Sequence, residues 1–395
     1  MKRVAHRLAI GVATALVVGV VGWWWWQAPR KPAGSTAAGL ENRTKGTPGS
    51  VAPSSATATA PAATGANQIP TSTLRSNLLI GLRRDLAPGR SAASRSRLAA
   101  VRNQLRTLPP GAAAVQLLDF LRAGVDADTG LRFRVGRGGW LEEAPTLRVA
   151  ALDWLAEFDP SAAFEYARQI FADSSSAEEW ALALRNYYRK TQTADAYFEA
   201  RVAEALSRPG WLQQPTAGLA ESVDFPVAIG GIDGYGLLKT LLQQSAALRR
   251  PALAALDAWV VEDRHTAIAL LAAEAGEPGG VDAGSRAALL SRADLRDEAQ
   301  RAAVESYLES KDVPREAKVE FLRQFPNHNM ILGNHLVTTT NLAPLEESVA
   351  LDVAASQFID RMVGASALPD LGQELAACRE RLAQYLASAR RGGKL

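Results

Sequence analysis

At 395 residues, with 47% hydrophobic and 22% charged content, the chain is long enough for one or two folded domains with a sizeable core, which excludes a wholly disordered protein. The formal net charge of +3 is too small to specify a partner. A single cysteine, Cys378, excludes an internal disulfide and a cysteine cluster, and its helical setting suits a small buried hydrophobe.

Residues 8–26, LAIGVATALVVGVVGWWWW, run 19 positions without a charge. At about 1.5 Å per residue this predicts a helix of roughly 28 Å, close to the ~30 Å hydrocarbon core of a bilayer. Trp23, Trp24, Trp25 and Trp26 suit the headgroup zone at one end. Lys2, Arg3 and Arg7 precede the segment and Arg30 and Lys31 follow it, a bias that predicts residues 1–7 inside and the remainder outside. A cleaved secretory signal is the alternative; Pro29, directly after Ala28, is a poor cleavage context. Either way the main domain is expected outside the cytoplasm, membrane-anchored by a single pass, with the lipid bilayer as its first partner.

Residues 27–73 are mostly Ala, Pro, Gly, Ser and Thr, as in APRKPAGSTAAG and VAPSSATATAPAATGA. Such composition offers too little bulky apolar surface to offset ordering entropy, so a disordered, semi-extended tether is predicted.

From residue 74 to 395 the pattern is all-α. Leu74, Leu78, Leu82 and Leu86 recur every four residues, and Leu98, Val101, Leu105 and Leu108 share the side of a second helix. Between residues 75 and 106 there are eight arginines and one acid, Asp85. That basic stretch reads either as a patch for anionic lipid or as the solvated face of two packed helices; nucleic acid is not expected for an exported domain. LRFRVGRGGW, residues 131–140, alternates like a strand and then turns on glycines.

Beyond Pro145 the expected helices are short and closely spaced. Asp159 followed by Pro160 supplies an N-cap and first-turn proline, and Ser176 with Glu179 reads as a capping box. Pro314 and Pro344 sit near expected starts, and Gly364 near an expected stop. ALDWLAEFDPSAAF and ALDAWVVEDRHTAI align with an offset of 104, matching Ala151/Ala255, Leu152/Leu256, Asp153/Asp257, Asp159/Asp263 and Ala163/Ala267; AVESYLESKDVPREA, from Ala303, is a weaker echo. Residues 145–172 and 293–325 resemble HEAT-type helical pairs, which implies an α-solenoid-like stack of helical hairpins.

AESVDFPVAIGGIDGYGLL, residues 220–238, breaks the helical pattern. Glu221-Ser222, Pro226, Ala228-Ile229 and Gly236-Leu237 are similar, in register, to the Glu-Ser signature of lytic transglycosylases, which cleave the peptidoglycan glycan strand. The resemblance implies Glu221 as the single general acid/base, its carboxyl pKa raised by an apolar setting such as Phe225 and Ile229. Leu238-Lys239 departs from the family's Met-Gln, and LLAAEAGEPGGV, residues 270–281, lacks the tyrosine and asparagine of its second signature. The other reading is a corner between helices, where glycines permit close approach and positive φ.

FPNHNMILGNHLVTTTN, residues 325–341, also interrupts the helices and carries His328 and His335 without an acid between them, so no zinc site is indicated; the run reads as asparagine-rich turns at helix ends, or as an exposed loop in which His328 and His335 are candidate binding residues. ALRNYYRKTQTADAYF, residues 183–198, sets Arg185, Tyr187, Tyr188, Arg189 and Lys190 together as a sugar- or peptide-binding face, or as core aromatics backed by arginines. No phosphate loop, dinucleotide fingerprint or nucleophile elbow is present, and no cofactor or metal is expected. The expected function is a tethered helical scaffold for a protein or cell-wall partner without catalytic activity, the alternative being a wall-cleaving enzyme using Glu221. The oligomeric state is not specified.

Overall fold

The computed structural model of the chain describes residues 77–86, 91–275, 280–328, 335–338, 345–365 and 368–391. The expected membrane helix at 8–26 and tether at 27–73 lie outside these residues. Among the described residues, no helix is long and apolar enough to cross a membrane.

These residues are predominantly α-helical. The first group is α1 (Leu78–Asp85), α2 (Ser91–Arg106), α3 (Ala112–Arg122), α4 (Leu147–Phe158), α5 (Pro160–Asp173), α6 (Ala177–Thr191), α7 (Ala196–Ser207) and α8 (Pro209–Gln213). A short antiparallel hairpin, β1 (Arg134–Val135) and β2 (Leu141–Glu143), stands between α3 and α4, where the alternation of LRFRV ends in a glycine turn. The second group is α9 (Ala217–Ser222), α10 (Phe225–Ile229), α11 (Gly231–Gln244), α12 (Arg249–Glu262), α13 (Arg264–Ala273), α14 (Ala283–Leu290), α15 (Glu298–Glu309), α16 (Arg315–Gln324), α17 (Leu345–Gly364) and α18 (Gly372–Arg391).

The helices start where polar caps stand. Asp159 accepts from the amides of Ser161 (3.0 Å) and Ala162 (2.9 Å), with Pro160 leading α5. Asp263, its partner in the internal echo, accepts likewise from Thr266 N. These bonds satisfy amides that have no partner inside the helix. Ser176 caps α6 through Glu179 N, but only half a capping box forms. The Glu179 carboxylate turns instead to Arg148 of α4, 2.7 Å from Nε, because a cross-helix ion pair is available within reach.

At the N-terminal end, the Asn77 cap sets the rotation of α1 and buries Leu79, Leu82 and Leu86, leaving Leu78 only partly covered. Helix α2 buries Leu98, Val101 and Leu105, as their spacing predicts. Its arginines face acids: Arg95 pairs with Glu143 (2.9 Å), and Arg102 (2.5 Å) and Arg106 (2.7 Å) both reach Glu157 of α4. These three side chains are thus tied down by packing partners, the arrangement of the packed-helix reading.

Helices α4 and α6 are buried almost all round, enclosed by α3, α5, α7 and α9. A helix buried all round must satisfy every polar group it carries. Arg185 of α6, fully buried, does so with Asp153 of α4 at 2.5 Å, the Gly139 carbonyl at 2.9 Å and the Asn186 side chain. The echo repeats this device: Asp257 of α12 pairs bidentately with Arg292, just beyond α14. From α11 to α14 each helix packs on its successor or on the helix after that, Tyr307 of α15 lies 6.0 Å from Phe321 of α16 between ring centroids, and α16 continues onto α18. Cys378 of α18 is buried, its Sγ 3.6 Å from the Phe325 carbonyl, and burial pushes its pKa up to about 11.

Candidate functional site

Several of the interruptions in the helical pattern come together. Residues 335–338 lie against the β1–β2 turn, the end of α6 and the α9–α10 junction, so four segments that stand apart in sequence meet.

The β1–β2 turn is made by glycines. Gly138 (φ +67°) and Gly139 (φ +71°) hold the left-handed conformation, and Gly136 N closes the loop on the Trp140 carbonyl at 2.7 Å. A Cβ at Gly139 would collide with the Leu336 carbonyl and with Arg189 Nη2, so only glycine lets residues 335–338 approach here. Leu336 itself is buried.

At the α9–α10 junction, Asp224 accepts from Val337 N (2.7 Å), Thr338 N (3.0 Å) and the Thr338 hydroxyl. Burial pushes its carboxyl pKa up, opposed by the donors from Thr338 and Val337 and by the nearby His335. His335 Nδ1 lies 3.5 Å from Glu221 Oε2, which makes no conventional hydrogen bond. The pairing with Glu221 raises the His335 pKa against the effect of burial, helped by Asp224. Two candidates read separately from the sequence, Glu221 and His335, are therefore neighbours.

The glycines after Glu221 form a corner. Gly230 (φ +72°) and Gly231 (φ +53°) turn the chain from α10 into α11, and a Cβ at Gly234 would strike the Pro226 carbonyl. Phe225 is fully buried, and the Ser222 hydroxyl donates back to the Gly218 carbonyl at 2.9 Å. The apolar wall expected beside Glu221 faces the core, while the Glu221 carboxyl itself is partly exposed.

The aromatic-basic run of α6 divides. Tyr187 is buried, and its hydroxyl donates to Asp195 at 2.9 Å; burial and that acid push its pKa up to about 12. Tyr188 and Arg189 instead line a cleft of about 460 Å³, with Trp140, Pro160, Gln192 and Val337 among its other walls. The Arg189 guanidinium lies over the Trp140 ring, 4.0 Å from its centroid, and Nη2 donates to the Gly138 carbonyl. Lys190 points elsewhere, to the Ser161 hydroxyl at 3.1 Å. His328 is separate: its Nε2 is 3.0 Å from Asp352 of α17, tying the end of α16 to that helix.

Among the described residues no group of three His, Cys, Asp or Glu side chains is placed to hold a metal ion. Three contributors escaped the sequence reading. Asp153 carried a signal, a lone acid inside an apolar helix and repeated at Asp257. Trp140, which follows Gly138-Gly139, and Asp224, just ahead of Phe225-Pro226, acquire meaning only from what folds onto them.

The chain matches no protein-family model, and no curated protein or solved structure matches it. The described residues define the class: an all-α protein with one small hairpin, in which residues 335–338 join the β1–β2 turn to the α9–α10 junction.

Proposed function

We propose that this protein is a helical scaffold, an interaction module without catalytic activity, held outside the cytoplasm by a membrane anchor at residues 8–26. The observation that carries this reading is the packing of α11 to α14, each helix on its successor or the one after, with α15 packed back on α13. This is how an α-solenoid-like stack of hairpins builds an extended binding surface without special chemistry. The resemblance of residues 145–172 and 293–325 to HEAT-type pairs supports it, as does the repetition of the Asp153–Arg185 pair by Asp257–Arg292. The partner is a protein or cell-wall component.

The alternative, a membrane-anchored enzyme resembling lytic transglycosylases, draws on the Glu-Ser motif and on His335 standing beside the Glu221 carboxyl. That pair engages the carboxyl with a basic ring, whereas a general acid must hold its proton toward the glycosidic oxygen.

Two measurements on the full-length chain test the proposal. Added protease is expected to digest the main domain from the extracytoplasmic side of intact membranes; recovery of the whole chain in the soluble fraction would overturn the anchor. Wild type and Glu221→Gln are expected to behave alike on isolated peptidoglycan. Release of glycan fragments by wild type and not by the variant would replace the scaffold with the enzyme.

A further inference from the structure

Among the described residues no carboxylate stands within ion-pairing distance of Arg189, and Asp153, the acid that acts on it electrostatically, is already bonded to Arg185. Arg185 adds a like charge nearby, its guanidinium also lying against Trp140, 5.0 Å from the ring centroid. Burial and that neighbour lower the Arg189 pKa to about 10. The charge count around the ring is therefore two guanidinia to one carboxylate. Arg189 spends Nη2 on the Gly138 carbonyl, and among the described residues Nε and Nη1 have no hydrogen-bond partner. Arg189 is only half-buried, so these donors remain open to an anion entering the cleft.

The walls narrow the choice of anion. Beside Arg189 they are apolar or aromatic, with Trp140, Tyr188, Pro160 and Val337 in the lining, and Gln192 adds an amide. One planar fork matches the two oxygens of a carboxylate, whereas a phosphate dianion calls for more donors than this cleft holds. A volume of about 460 Å³ suits a small molecule or the end of a peptide.

We infer that the cleft between the β1–β2 turn, the end of α6 and residues 335–338 is a binding site for a carboxylate with an apolar body, the chemistry of a peptide C-terminus or an N-acyl amino acid. Arg189 receives the carboxylate, and the Trp140 and Tyr188 rings cover the apolar part. This goes beyond the scaffold reading: it concerns small-molecule binding, which neither the membrane anchor nor a macromolecular partner determines.

The test is calorimetric titration of the full chain with N-acetyl-leucine, N-acetyl-leucinamide and inorganic phosphate. Saturable binding of the acid is expected, with the amide at least about 10-fold weaker, since a charge-assisted bond contributes roughly 1.5–3 kcal/mol. Arg189→Gln is expected to weaken the acid by a similar factor. Because that change also removes the bond to Gly138, Arg189→Lys serves as the second variant. It keeps the cation and a donor for the Gly138 carbonyl but not the planar fork, and is expected to weaken the acid at least several-fold while leaving the melting temperature near that of wild type. Equal affinity for acid and amide, wild-type affinity in both variants, or no saturable binding would overturn the inference, and phosphate binding as tightly as the acid would overturn the choice of carboxylate.

Discussion

Asp153 and Arg185 show what one buried charge demands of its neighbours. Both side chains are essentially excluded from solvent, and the pair fastens the β1–β2 turn to α4 and α6 through the Gly139 carbonyl and Leu141 N. Asp153→Ala would strand the guanidinium, and a loss of about 3–5 kcal/mol is expected in denaturant unfolding. Removing both charges with Asp153→Leu and Arg185→Met should recover most of it, because no unpaired ion remains; an equal loss in the double variant would refute the ion-pair account. The other residue-scale expectation concerns pH. His335 has a folded-state pKa above its ordinary value of 6.5, so the folded state binds more proton than the unfolded one. Its contribution is full below about pH 6.5 and is lost as pH rises through the raised value. Asp224 is also raised, and its contribution runs in the same direction, from lower pH. The melting temperature is therefore expected to fall as pH rises above about 6.5, and His335→Gln or Glu221→Gln to flatten that fall. A wild-type slope persisting in both variants would assign the titration elsewhere.

At the scale of elements, the α10–α11 corner separates two kinds of glycine. Gly234 is a place of close approach: any Cβ meets the Pro226 carbonyl, which is backbone and cannot swing away. Gly236, two residues on in the same helix, has open space around it and ordinary φ. Gly234→Ala is expected to destabilise by about 1–3 kcal/mol through overpacking, outweighing its gain in helix propensity. Gly236→Ala should stabilise by roughly 0.5–1 kcal/mol. Thermal unfolding of the two variants checks both signs, and a stabilised Gly234→Ala would mean that α10 and α11 lie further apart than described. The glycine cluster was visible in the sequence, as was the choice between a corner and an active-site loop. What the sequence withheld was which glycine touches what, since Pro226 and Gly234 become neighbours only after the chain turns at Gly230.

Across the whole molecule, helix placement was the most legible feature, because caps and apolar periodicity act over one or two turns. Asp159-Pro160, Ser176 and the Leu98–Val101–Leu105 stripe needed no tertiary information. The internal echo was legible too, and it foreshadowed a shared ion pair without identifying the arginines, which lie 32 and 35 residues further along. The candidate site was the least legible. Glu221 and His335 are 114 residues apart, and Trp140 and Val337 nearly 200; no local pattern links such positions. By itself, then, the sequence determined an all-α body with one strand-like interruption, and the caps and apolar faces of its helices, since these follow from backbone hydrogen bonding and burial over short spans. Only the tertiary structure decided that residues 335–338 strap the β1–β2 turn to the α9–α10 junction, and that no acid among the described residues pairs with Arg189. Those outcomes depend on which distant surfaces pack together, and a buried charge finds its partner, or lacks one, only when that packing is complete.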